Sequence, residues 1–298
     1  MGQAQRVVAV FGFDMETDIG SWTPFYEGLV NGTPRILDLL SDMGIVATFY
    51  FTGHAAKAHP EVVAEVDSAG HEVGCHSLYH ETVGDELFPI PGIHPLLAEE
   101  VPLRLKVATD HVTQALGREI SSFRCPRLFG STAVINALEA LGYQTDASYP
   151  LYYYRERLTP YHPSRTDWTR EGDSPILEIP NFADLAKDSQ DPLGRDRDQW
   201  PKYRTEGAQS LLAAADSFIA VAHGRGLPAV LCFYLHPWEF VEMPSHPIHY
   251  GEGSVIPDPF IIAGCGDRAL RELRSVIRGL QARGSEFSTA VELARAWV

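Results

Sequence analysis

Two hydrophobic patterns alternate along the first half of the chain. Residues 6–13, 45–51 and 71–75 are short, nearly unbroken β-branched and aromatic runs, the pattern of strands buried on both faces. Between them, residues 33–44 and 60–70 repeat apolar positions at helical spacing, each with a proline in its first turn and a glycine at its stop, and Thr33 reads as an N-cap. Strand and helix alternating at such short spacing imply right-handed crossovers and a parallel sheet, an α/β architecture. Further helices are expected up to residue 116 with Gly117 as the stop, from Ser131-Thr132 to about Leu141, from 206 to 225 and from 268 to 282. Further strands are expected within 121–130, at 175–181 and at 227–239, and a last strand turn and helix within 286–297. Residues 147–206 differ in kind, being rich in Tyr, Pro, Asp and Arg, and are expected to form long loops over one rim of the structure.

Composition narrows this picture. A chain of 298 residues that is 45% hydrophobic can bury one large core, and no linker-like stretch divides it, so residues 1–298 are expected to form a single domain. No apolar run reaches the roughly 18 residues of a membrane span, and residues 1–6 lead into the first strand without a signal-peptide core, which implies no membrane partner and a cytoplasmic location. Cys75, Cys125, Cys232 and Cys265 are scattered without metal or redox spacing and read as small buried hydrophobes. A net charge of -15 opposes nucleic acid as a partner and favours a small-molecule or carbohydrate substrate.

The chemistry collects where strands end. His76 and His80, spaced i, i+4 after the third strand, can turn both imidazoles toward one point, as a divalent transition ion requires. Asp14, Glu16 and Asp18 follow the first strand, and three acids are costly to crowd together without a cation. His236 stands at the end of the strand within 227–239. A metal held by His76, His80 and one carboxylate keeps an open position, a second carboxylate can take a proton from water, and a histidine opposite can protonate a leaving amine. The chemistry implied is hydrolysis of an amide.

These residues also carry a resemblance. The run Ala47-Thr48-Phe49-Tyr50-Phe51-Thr52-Gly53, then Gly70-His71-Glu72-Val73-Gly74-Cys75-His76 with His80, Phe123-Arg124-Cys125-Pro126, and Leu235-His236-Pro237 resemble, in order, the motifs of the polysaccharide deacetylase family, also called NodB-homology or carbohydrate esterase 4. The resemblance implies a distorted (β/α) barrel with seven or eight parallel strands. It implies Asp14 as catalytic base, Arg124 as the group positioning that base, His236 as general acid, and the backbone N–H of Arg127 as oxyanion donor to the substrate. His76 and His80 become ligands of one divalent metal ion, with zinc as the expected ion, although imidazole and carboxylate suit iron, cobalt and nickel too. The commonest family pattern has two adjacent aspartates where this chain has Asp14-Met15-Glu16. The intracellular allantoinase-like and cyclic-imide-hydrolase-like branch also separates its two acids by one residue, so Glu16 is assigned to the metal, with Asp18 as substitute. That branch also implies a homo-oligomer.

Three functions stand against each other at this stage. The first is N-deacetylation of an amino sugar or sugar-like molecule, the second hydrolysis of a small cyclic amide, imide or ureide, and the third a non-catalytic carbohydrate-binding member of the fold. Trp238 and Glu239, beside His236, are expected to line the substrate site. The segment from Tyr152 through Arg157, His162, Arg165, Trp168 and Arg170 is a second candidate surface for stacking on a ring and pairing with an anion. Asp146 is a candidate to orient His236.

Overall fold

The computed structural model describes residues 6–297; residues 1–5, read above as leading into the first strand, lie outside the described residues. In chain order the strands are β1 (Val7–Met15), β2 (Thr48–Phe51), β3 (Glu72–Cys75), β4 (Ser122–Phe123), β5 (Thr145–Asp146), β6 (Leu177–Glu178), β7 (Ala229–Leu235), β8 (Ile248–Tyr250), β9 (Gly253–Val255) and β10 (Glu286–Phe287). Eight of them form one sheet whose ladders are all parallel, and β8 and β9 form a separate antiparallel hairpin.

β1 is the axis of the sheet. One edge pairs with β7 from Val7 opposite Ala229 to Phe13 opposite Leu235. The other edge is shared by β10 against Val8 and Ala9 and by β2 against Gly12 to Met15. From β2 the order runs through β3, β4, β5 and β6, and a parallel bridge between Asn181 and Cys232 joins the chain just past β6 back to β7. That bridge curls the sheet into the distorted (β/α) barrel the motifs implied.

The period of two along a strand sorts β1 into two faces. Ala9, Phe11, Phe13 and Met15 pack outward with the helices, while Val8 and Val10 join Tyr50, Cys232 and Ile179 inside the barrel. Continuing the inward series gives Gly12, Asp14 and then Glu16 at the mouth. The residue between the two acids is therefore what lets both face the same opening. Ala290 and Leu293 of the closing helix Ala290–Ala296 plug the opposite end.

Helix boundaries follow local chemistry. Gly44 and Gly117 end Thr33–Met43 and Val101–Leu116 in the left-handed conformation, at φ 64° and 79°. The Ser131 hydroxyl accepts the Val134 N–H, and Thr289 forms a reciprocal cap with Glu292. Thr33 departs from expectation: it is the first residue of its helix rather than the cap, because a π-helical turn, Gly28–Gly32, feeds straight into it. A Cβ at Gly28 would stand 2.2 Å from Trp238 Cα, so glycine lets this turn lie against the backbone that follows His236.

The strand expected over 227–239 stops at Leu235. Pro237 has no N–H for a sheet ladder, and the chain turns there into a short 3₁₀ segment, Pro237–Phe240. All four cysteines are buried and unpaired. Among the described residues no helix is long and apolar enough to cross a membrane.

Candidate active site

The barrel interior ends in charge rather than in apolar layers. Arg124, fully buried at the end of β4, crosses the barrel beneath the mouth. Its Nη1 donates to Asp14 Oδ1 at 2.9 Å, Nε to the Ala147 carbonyl at 3.1 Å and Nη2 to the Phe233 carbonyl at 3.1 Å. The guanidinium lies 4.5 Å from the centre of the Tyr50 ring. A Cβ at position 12 would sit 2.3 Å from Nη1, so Gly12 makes the crossing possible. Burial alone would lower the Arg124 pKa, but the Asp14 carboxylate outweighs it and holds the group above its ordinary value.

Above this pair stand Glu16, His76 and His80, all buried, each offering one donor atom within 4.8 Å of the others. The chain leaves β3 through Ser77 and His80 at φ 63° and 64°, and this non-helical loop, rather than a helical turn, brings the two imidazole rings to 5.2 Å. Backbone held in the left-handed region is strain that surrounding contacts must enforce, and such residues cluster at functional sites. His76 Nδ1 pairs with the Arg124 carbonyl at 2.7 Å, which fixes the tautomer and leaves Nε2 with a lone pair facing the mouth. His80 Nε2 is 2.6 Å from Glu16 Oε2, which also accepts from Ser21 Oγ at 3.1 Å.

The donor set fits a divalent transition ion. Glu16 Oε1 and His76 Nε2 are buried without a hydrogen-bond partner, a costly state for polar atoms unless something else engages them. Burial lowers the His76 pKa to about 4, so its imidazole is neutral at neutral pH, as a ligand must be. Burial would raise Glu16, but His80, His236 and His76 outweigh it and hold the carboxylate well below its usual range. Asp18, the substitute considered for this place, is turned elsewhere: it accepts the N–H groups of Glu27 and Gly28 at 3.0 and 2.8 Å.

Across the mouth, His236 Nε2 lies 3.9 Å from Glu16 Oε1, and its Nδ1 is 2.9 Å from Glu239 Oε1. Glu239 is fully buried, and its carboxylate also takes hydrogen bonds from Trp200 Nε1 and Tyr203 OH, both at 3.0 Å, and from Arg204 Nε at 2.5 Å. Burial would raise Glu239; Arg204 and His236 hold it at about 2. For His236 the order is reversed: burial lowers, the Glu239 hydrogen bond and the Glu16 charge raise, and the pKa lies above its ordinary 6.5.

Two sequence assignments change here. Glu239 does not line the substrate space but lies beneath His236 and orients it, because the 3₁₀ turn after Pro237 folds residue i+3 back onto residue i. Asp146 does not orient His236: it is buried in the barrel, bonded to the Ser148 hydroxyl and raised to about 6 by burial, beside Glu178.

The mouth opens into a cleft of about 650 Å³, the size of a small-molecule site. Asp14, Glu16, His80 and His236 form its floor; Ile19, Trp22, Phe88, Tyr152, Trp200 and Phe260 supply apolar and aromatic wall, and Arg127, Tyr234 and Trp238 also line it. Of the expected aromatic and basic rim, Tyr152 reaches the cleft. Tyr161 and Trp168 are buried against Tyr149, Arg157 pairs with Glu171, Arg165 with Glu139 and Arg170 with Asp167. Sequence reading missed Ser21, Trp200, Arg204 and Tyr234. Tyr234 carried a usable signal, since it lies two residues before His236, near the end of β7.

Comparison with known proteins bears on residues 16–145 and on the fold. A sequence profile described as polysaccharide deacetylase matches residues 16–145, which include Glu16, His76, His80, Arg124 and Arg127 but stop short of His236. The peptidoglycan-N-acetylmuramic acid deacetylase PdaA of Bacillus subtilis is 30% identical over 123 residues, 41% of this chain and 43% of that protein. The chain thus spans less than half the length of that curated relative. Puue allantoinase superimposes with a TM-score of 0.63 at 16% identity, over 99% of this chain and 91% of that one. A CE4 family pseudoenzyme from Bacillus anthracis gives 0.53 at 13% identity, over 97% and 66%. Residues 16–145 are thus similar in sequence to the polysaccharide deacetylase family, the family that the motifs resemble.

Proposed function

We propose that the protein is a metal-dependent hydrolase of a C–N amide bond, removing an acyl group from the nitrogen of an amino sugar or sugar-like molecule. The observation that carries this is the buried Glu16, His76 and His80 cluster, flanked on one side by Asp14 held by Arg124 and on the other by His236 held by Glu239. A pseudoenzyme shares the fold, so the fold alone does not imply turnover. A silent binding module has no need of a proton acceptor and a proton donor on opposite sides of three converging metal-ligand atoms.

A divalent ion, zinc or a similar metal, held by Glu16, His76 and His80 would polarise the amide carbonyl and lower the pKa of a water molecule toward about 7. The chain's own groups supply the rest. Arg124 fixes Asp14 through Oδ1, leaving Oδ2 on the His76 side, 3.9 Å from Nε2, placed to take the proton of the attacking water. His236, whose pKa the Glu239 hydrogen bond and the Glu16 charge raise, gives the Nε2 proton to the leaving amine. The backbone N–H of Arg127 would serve as oxyanion donor, and Trp238, almost fully buried at the cleft wall, would bound the space beside the ring. The bounded, aromatic-walled cleft also suits a small cyclic amide, imide or ureide, the second reading.

Incubation of the protein with N-acetylglucosamine oligomers, allantoin and succinimide, with acetate release and ring opening measured, separates the two. Acetate from a sugar is the expected result; ring opening without acetate moves the substrate to the second reading, and neither product from any of the three contradicts the proposal.

A further inference from the structure

The charged residues of the cleft are matched, with one exception. Asp14 has Arg124, Asp191 has Arg195 at 3.3 Å, and Asp198 accepts from the Tyr234 hydroxyl. Among the described residues no carboxylate pairs with Arg127. Its hydrogen bonds within the described residues are Nη1 to the His80 carbonyl at 2.9 Å and to Thr82 Oγ1 at 3.4 Å, which aim the guanidinium and leave its other donors to the cleft. The residue is half-buried and held at φ 59°, in a chain of net charge -15 where the two fully buried arginines, Arg124 and Arg204, each have a carboxylate. Burial holds its pKa below the ordinary value, and the charges of Glu16 and Glu81, which do not contact it, only partly counter this. A partly desolvated cation without a counter-ion is costly unless the missing anion arrives from outside.

We infer that Arg127 is the binding site for a carboxylate carried by the substrate next to its scissile amide. The inference rests on the cleft being the amide-hydrolysing site proposed above, and it narrows the substrate class from neutral acylated sugars to acidic ones. A guanidinium suits this role because its planar fork can hold both carboxylate oxygens at once. Its anchor on the carbonyl of His80 sets that carboxylate beside the metal-ligand cluster rather than at the rim.

The same chemistry can come from an acidic amino sugar or from a small acyl amino acid, and two matched pairs separate these sources: N-acetylmuramic acid against its methyl ester, and N-acetylglycine against its methyl ester. Affinities are measured by calorimetry on the purified full chain and on Arg127→Gln and Arg127→Lys. The wild type is expected to prefer the acid of at least one pair by about 10- to 100-fold, the range for a charge-assisted hydrogen bond. That ratio falls to near one in Arg127→Gln and is partly kept in Arg127→Lys. A purely structural role, through the His80 carbonyl, would weaken acid and ester alike and leave the ratio unchanged, which overturns the inference, as does a wild-type ratio near one for both pairs. Preference confined to N-acetylglycine, with no sugar bound, removes the sugar reading of the function and leaves Arg127 as the carboxylate site.

Discussion

The two flanks of the Glu16, His76 and His80 cluster use the same device in different surroundings. On the base side, Asp14 is fixed by an arginine that crosses the barrel interior and is anchored on carbonyls of the neighbouring strand ends, at Ala147 and Phe233. On the acid side, His236 is fixed through Glu239 by Arg204, an arginine from the short helix Lys202–Thr205 whose Nη groups donate to the carbonyls of Ile261 and Ala263. The first arrangement is part of the barrel, whereas the second joins the barrel to the segment that supplies Phe260 to the cleft wall. Asp14, the proposed proton acceptor, is therefore held by the barrel itself, while His236, the proposed proton donor, is tied to one wall of the cleft.

The sharpest way to separate the flanks is to silence one. Asp14→Asn keeps the shape and the metal ligands and removes the proton acceptor, so kcat should fall by about 10²- to 10⁴-fold with metal content unchanged. Steady-state kinetics beside metal analysis checks this, and persistent turnover would move the base elsewhere.

Next come the arginines. Arg124→Gln and Arg204→Gln each strand a buried carboxylate, and each should cost about 3–5 kcal/mol of stability in denaturant unfolding. Local hydrogen exchange should then differ. Loss of Arg204 exposes amides near residues 258–263, while loss of Arg124 exposes β1 and β7. Equal exposure in both variants would mean the two flanks are not distinct.

A subtler effect lies in pH dependence. Burial lowers the His236 pKa, but the Glu239 hydrogen bond and the Glu16 charge raise it above its ordinary value, so, if His236 is the proton donor, the alkaline limb of the kcat profile should lie on the high side of 6.5. Glu239→Gln removes the raising influence, and the limb should move to lower pH. The smallest effect is Tyr203→Phe, which deletes one of several hydrogen bonds to Glu239 and should cost about 1 kcal/mol with the pH profile nearly unmoved.

What was legible in the sequence follows the same division. The base side and the metal cluster sit at ends of strands that announce themselves: β1 has an unbroken apolar run, β3 follows a well-marked helix, and a period of two puts Asp14 and Glu16 on one face. The acid side was half legible. His236 directly follows β7, but Trp200, Tyr203 and Arg204 come from a segment without hydrophobic period, where pattern carries no information about what touches what. Glu239 was assigned to the substrate because strand alternation was extended past Pro237, where the strand has already turned. Strands β4, β5 and β6 pair over two residues each, too short for any pattern to mark their ends, and the β8–β9 hairpin was not foreseen. The rim arginines were read as a binding surface because sequence shows charge without showing that Glu139, Asp167 and Glu171 neutralise it.

The central claim is that Glu16, His76 and His80 hold one divalent ion, and elemental analysis of the purified, folded protein tests it most directly. The account predicts near-stoichiometric zinc or a similar ion in the wild type, lost in His76→Ala, His80→Ala and Glu16→Ala. A fully folded protein that takes up no divalent ion even when one is supplied, or His76→Ala retaining a full equivalent, would contradict it.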